Sequence, residues 1–185
     1  MKALLKWKRG GKTVDSDFLL IRHMKNGDDT AIESFVRKYY SDILRYCSFH
    51  IQDQGYAEDA VQEVFVRFFR TLGQYHHYGK AKNYLYVIAA NVCKDHYRKQ
   101  REVPICEFPE RLCDDYDAVD SCLDIRMALE KLPRDLWDVT VLYYFQGIKQ
   151  REISKILGIG LPLVKYRMKQ AKIFLSDYLR KGEKI

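Results

Sequence analysis

Lys165, Lys169 and Lys172 stand at i, i+4 and i+7, a spacing that gathers three ammonium groups on one side of a helix. The chemistry of such a row is non-covalent: it holds phosphates. Val164, Met168, Ala171, Leu175 and Tyr178 recur along another side and mark the face that packs. A second set lies in GQYHHYGKAKNYLY, where Tyr75, Tyr78, Tyr84 and Tyr86 interleave with Lys80 and Lys82. Aromatic faces stack on unpaired bases while cations follow the phosphates, at about 1–3 kcal/mol per base. The same tyrosines would serve equally well as cover for a small core. Covalent chemistry has no comparable basis, because no nucleophile elbow, P-loop or cluster of metal-binding carboxylates is present. We therefore expect no enzyme, no cofactor and no metal. His76 and His77 are adjacent and badly placed to chelate from a helix. The five cysteines (Cys47, Cys93, Cys106, Cys113, Cys122) are odd in number, contain no CxxC, and read as reduced thiols.

The lysine row has to be positioned by Gln150 to Leu179. Ile153, Ile156 and Leu157 repeat at helical spacing, Gly158 stops the run, and a second stripe begins at Val164, which is the pattern of a helix-turn-helix. Glycine closes a helix in the left-handed region without a steric penalty, and Pro162 is tolerated in the first turn of the next helix. Upstream, Pro133 opens a helix whose Leu136, Val139, Leu142 and Tyr143 are expected to pack against this pair.

The tyrosine–lysine segment leads into a helix with Leu85, Ile88, Ala89 and Val92 inward and a basic end at Arg98, Lys99 and Arg101. Before it, Gln54 and Gly55 are expected to break the chain ahead of YAEDAVQEVFVRFFRTL. That helix buries Ala57, Val61, Val64, Phe65, Phe68, Phe69 and Leu72 and presents Asp59, Gln62, Glu63, Val66 and Arg67 outward. Asp28 or Asp29 caps an earlier helix striped by Ile32, Phe35, Val36, Tyr39 and Ile43. A shorter helix is expected from Asp17 to Lys25.

The net charge of +7 and pI near 9.1 favour an anionic partner. The distribution is basic, acidic, basic: Glu102 to Cys122 carries seven acids and only Arg111. With no strand alternation, we expect an all-α fold of two small helical domains. A basic lead-in (1–15) precedes a helical bundle (16–101), and an acidic linker (102–122) joins it to a helix-turn-helix domain (123–185). The N-terminal apolar run is too short for a signal-peptide core and no span reaches transmembrane length, so no membrane insertion and a cytoplasmic location are expected.

The chain resembles extracytoplasmic-function sigma factors of the sigma-70 family. AEDAVQEVFVRFF is similar to the family's region 2.2, YLYVIAANVCKDHYRK to regions 2.3 and 2.4, and ALEKLPRDLWDVTVLYYFQGIKQREISKILGIGLPLVKYRMKQAKIFL to region 4. The resemblance implies promoter-specific initiation with bacterial RNA polymerase core, through its β′ clamp helices and β flap. It implies that Asp59, Gln62, Glu63 and Arg67 dock on the core. Lys80, Lys82, Asn83, Tyr84, Asn91, Asp95, Arg98 and Lys99 would melt and read the opened −10 strand. Leu161, Leu163, Lys165, Tyr166, Arg167, Lys169 and Lys172 would meet the duplex −35 element, and an anti-sigma factor would hold the protein in check. Tyr84 stands where the family usually has Trp, which preserves stacking. Leu163 and Tyr166 replace the usual Thr and Ser, and Leu163 offers apolar contact, for instance to a thymine methyl. A free-standing helix-turn-helix regulator is the other reading of the same elements, and it would bind specific duplex DNA without polymerase.

Overall fold

The computed structural model describes residues 16–51, 53–78, 80–99, 128–129 and 131–182, and among these every regular element is helical. The expected lead-in (1–15) and acidic linker (102–122) lie outside the described residues. Helix α1 is Ser16–Lys25, followed by a turn in which Gly27 takes φ +81°. Helix α2, Asp29–His50, is capped by Asp28, whose Oδ1 accepts the backbone N–H groups of Thr30 at 3.0 Å and Ala31 at 3.2 Å. Helix α3, Gln54–Thr71, begins before the expected break. The Asp53 carboxylate accepts the Tyr56 N–H at 2.9 Å, so Gln54 and Gly55 form the first turn instead of ending a loop. Helix α4 is Ala81–Lys99.

These four helices meet on a core in which Phe35 stacks on Phe68 at 4.8 Å and 12°, with Ile43, Val61, Val64 and Leu85 fully buried around them. Tyr86 is 0% exposed and belongs to that core, whereas Tyr78 is 86% exposed.

Helix α5, Arg134–Thr140, continues as a π-helical turn over Val141–Phe145, where the Gln146 N–H reaches the Val141 carbonyl at 3.1 Å. A π turn holds more residues than an α turn, so the side chains beyond Val141 lag behind the α-helical register. Tyr143, expected inside, is 38% exposed, while Val139 and Leu142 are buried. Helices α6 (Gln150–Leu157) and α7 (Leu161–Gly182) form the helix-turn-helix. Gly158 between them is left-handed at φ 65°, ψ 30°, and the Ile159 N–H returns to the Ser154 carbonyl at 3.1 Å.

The two halves are in contact. Alongside Leu85, Ile88, Ala89 and Val92, helix α4 also buries Tyr86, Ala90 and Cys93 at i, i+4 and i+7. It is thus covered on two sides, by α2 and α3 on one and by α6 on the other. The Tyr86 hydroxyl donates to Gln146 Oε1 at 2.8 Å in buried surroundings, and Phe49 meets Phe145 at 4.6 Å and Trp137 at 6.1 Å. The Arg134 guanidinium lies over the Tyr97 ring, 3.1 Å from its centroid.

Candidate nucleic-acid interface

Helix α7 divides cleanly. Val164, Met168 and Ala171 are buried, and Lys165, Lys169 and Lys172 are exposed on another side, with Leu163 and Tyr166 exposed near the N-terminal end and Leu161 half-buried. Arg167 is not part of that row. It turns toward α5, where Nη2 donates to Asp135 Oδ2 at 2.6 Å. The structure therefore separates a free lysine face, able to follow phosphates, from an arginine that ties α7 to α5.

The residues assigned to an opened strand spread along α4. Tyr84 is half-buried and stacked on Tyr75 at 5.0 Å and 27°, with its hydroxyl 3.4 Å from Thr71 Oγ1. Beside it is an open recess of about 290 Å3 lined by Arg67, Arg70, Thr71, Tyr84, Ile88 and Asn91. Arg70 was missing from the sequence reading, although its place one turn after Arg67 would have located it. Asn91 and Arg98 are exposed. Lys82 pairs with Asp42 at 2.6 Å, Lys80 pairs with Glu152 of α6, and Asn83 is half-buried. The side chain of Lys99 lies outside the described residues.

On α3, Asp59 and Gln62 are exposed, Glu63 and Arg67 half-buried, and Val66 is exposed among them. Arg67 joins this group to the strand-facing one, since Nε donates to Glu63 Oε1 at 2.6 Å and Nη1 to Asp95 Oδ2 at 3.3 Å. Asp95 also accepts from Arg98 at 3.0 Å.

One buried polar group escaped the sequence reading. His50, at the end of α2, is 3% exposed; its Nδ1 is 3.7 Å from Asp138 Oδ1, and Nε2 has no hydrogen-bond partner among the described residues. Burial, with Arg134 nearby, pushes its pKa from 6.5 down to about 3, so the ring is neutral. Burial raises the Asp138 carboxyl in turn. Among the described residues no three His, Cys, Asp or Glu side chains converge as a metal-binding set, and no helix is long and apolar enough to cross a membrane.

Comparison with known proteins follows the same division. Residues 35–103 match the family model for sigma-70 region 2, and residues 122–175 match the one for sigma-70, region 4. The ECF RNA polymerase sigma factor SigE of Mycolicibacterium smegmatis is 31% identical over 172 residues, covering 84% of this chain and 65% of the relative. The RNA polymerase sigma-H factor of Pseudomonas aeruginosa is 25% identical over 190 residues, covering 91% and 96%. Among solved structures, CnrH in complex with the cytosolic domain of CnrY has a TM-score of 0.70 at 23% identity, over 90% of this chain and 99% of that one. The sigma factor RpoE of Bartonella quintana, co-crystallised with the anti-sigma factor NepR, has a TM-score of 0.63 at 20% identity, over 80% and 98%. At these identities the structural likeness speaks for the fold.

Proposed function

Because the chain belongs to the sigma-70 family, in its extracytoplasmic-function group, we propose that it binds core RNA polymerase and directs promoter-specific transcription initiation. The observation that carries this reading is the exposed row of Lys165, Lys169 and Lys172 on the second helix of a glycine-turned helix-turn-helix, in a chain that also has a region 2 match. A recognition helix enters the major groove while its cations neutralise phosphates, and that is the work of the −35 contact. Leu161, Leu163, Tyr166 and Arg167 would complete it, with Arg167 fixing the angle of the helix through Asp135.

The opened −10 strand falls to Lys80, Lys82, Asn83, Tyr84, Asn91, Asp95, Arg98 and Lys99. Tyr84 and the recess beside it suit a stacked base. Asp59, Gln62, Glu63 and Arg67 meet the β′ clamp helices, and the C-terminal half meets the β flap. On this reading the chain has no chemistry of its own, works in the cytoplasm, and uses residues 102–122 as the tether between a 16–101 module and a 123–185 module. An anti-sigma factor is the expected inhibitor, by analogy with the Bartonella sigma factor held by NepR.

In vitro transcription with core polymerase and this protein, with transcript ends mapped, tests the proposal. Transcripts should start at defined positions downstream of a shared pair of sequence elements. No such transcripts, together with a specific duplex gel shift by the isolated protein at physiological salt, would establish the free-standing regulator instead.

A further inference from the structure

The strand-reading end of α4 is touched by a later segment of the chain itself. Lys80, assigned above to the opened strand, pairs with the carboxylate of Glu152 in the first turn of α6. This is the contact by which an ammonium would hold a strand phosphate. The contact is one of several that seat α6 and the segment before it on α4. Tyr86, buried in the first half, donates to Gln146 in the second, and the stripe of Tyr86, Ala90 and Cys93 is covered along its length. We propose that α6 is an intramolecular occupant of the Lys80 end of the strand-binding face, with Glu152 standing where a phosphate of the opened strand would bind, so that the promoter strand and α6 compete for Lys80. The inference rests on the strand-reading role given to Lys80 under the proposed function.

The competition is one-sided. Lys165, Lys169 and Lys172 stay exposed while α6 is docked, so duplex contact needs no rearrangement, but strand capture does. That imposes an order at one point of the face: Tyr84 and its recess are open while α6 is docked, and Lys80 becomes available to a strand phosphate only when Glu152 gives it up. Hydrogen bonding from Lys80 holds the Glu152 carboxyl below its ordinary range, so the occupant is anionic at any physiological pH. Lys80 is half exposed, so the ion pair is a weak latch laid over an apolar contact, and it yields to a strand that brings several phosphates at once.

The test uses the full chain and a fluorescent 12-nucleotide single-stranded DNA pool of random sequence, read by anisotropy. Glu152→Ala should bind the pool about two- to five-fold more tightly than wild type, the range expected for freeing one partly exposed ion pair. Glu152→Gln, which keeps the side-chain volume, should move the same way. Asp177→Asn, an equal change of charge at an exposed position on α7, should not produce the gain. In Lys80→Ala/Glu152→Ala the gain should vanish. If Glu152→Ala matches Asp177→Asn while Lys80→Ala still weakens binding, the strand-reading role stands and the competition is disproved. If Lys80→Ala leaves binding unchanged, the strand-reading role itself fails, and the proposal with it.

Discussion

A lysine ammonium is a point charge without a bidentate fork, so Lys165, Lys169 and Lys172 are suited to phosphates more than to guanine edges. Each phosphate contact releases condensed counterions and adds about −0.9 to the slope of log affinity against log salt. Lys165→Ala with Lys169→Ala should therefore weaken binding to −35 duplex and flatten that slope by about 1.8, measured by titration between 50 and 200 mM salt. A parallel loss at all salt concentrations would mean that the two lysines do not touch phosphate. Tyr84 acts through a ring face. Tyr75 is stacked on it and the recess lies beside it, so it has room for a base that has left the duplex. Tyr84→Ala should slow open-complex formation by the equivalent of about 1–3 kcal/mol of lost stacking and leave closed-complex affinity near wild type. Permanganate footprinting and a gel shift on the same promoter separate the two steps, and equal losses in both would rule out stacking.

Helix α3 shows what an element adds to its residues. Its inner face is apolar enough to fix its rotation, and this is what turns Asp59, Gln62 and Glu63 outward around Val66. Asp59→Lys with Glu63→Lys should leave the fold intact and reduce core-polymerase affinity by about tenfold, chiefly through slower association, as charges on an interface usually act. Surface plasmon resonance at two salt concentrations measures this, and unchanged kinetics would remove α3 from the docking surface. The inner face of α3 was legible in the sequence because burial on one side leaves a 3.6-residue period. The turn at Gly158 was legible because few residues adopt φ 65°. Three features were not. The π turn at Val141–Phe145 depends on one extra residue held by packing, which no local period announces. The start of α3 was hidden because Gly55 reads as a breaker while the Asp53 cap overrides it. The second stripe of α4 was overlooked because Tyr86, Ala90 and Cys93 overlap the first, and a helix buried on two sides is recognised only when both are counted.

At the scale of the molecule, the same two-sided helix makes the halves one packed body, and His50 gives that body a pH dependence. The groups facing the imidazole come from three helices: Tyr46 from α2, Cys93 and Lys94 from α4, and Arg134, Asp135 and Asp138 from α5. While the halves are packed, His50 stays neutral down to about pH 3; exposed by separation, it would return to its ordinary 6.5. The separated form therefore takes up a proton below pH 6.5 that the packed form refuses, and acidification favours separation. The cost to the packed form is about 1.4 kcal/mol for each pH unit below 6.5, and it is absent at higher pH. Asp138 opposes this, because its raised carboxyl lets the packed form bind a proton more readily as pH falls, but the larger displacement is at His50 and sets the sign. Small-angle scattering from pH 7.5 to 5.5 should show the radius of gyration rising, with faster amide exchange in α4 and α6. His50→Phe, which retains a ring against Tyr46 and cannot titrate, should make both flat across that range. A radius that grows equally in the variant would assign the pH response to other groups and leave His50 a packing residue alone.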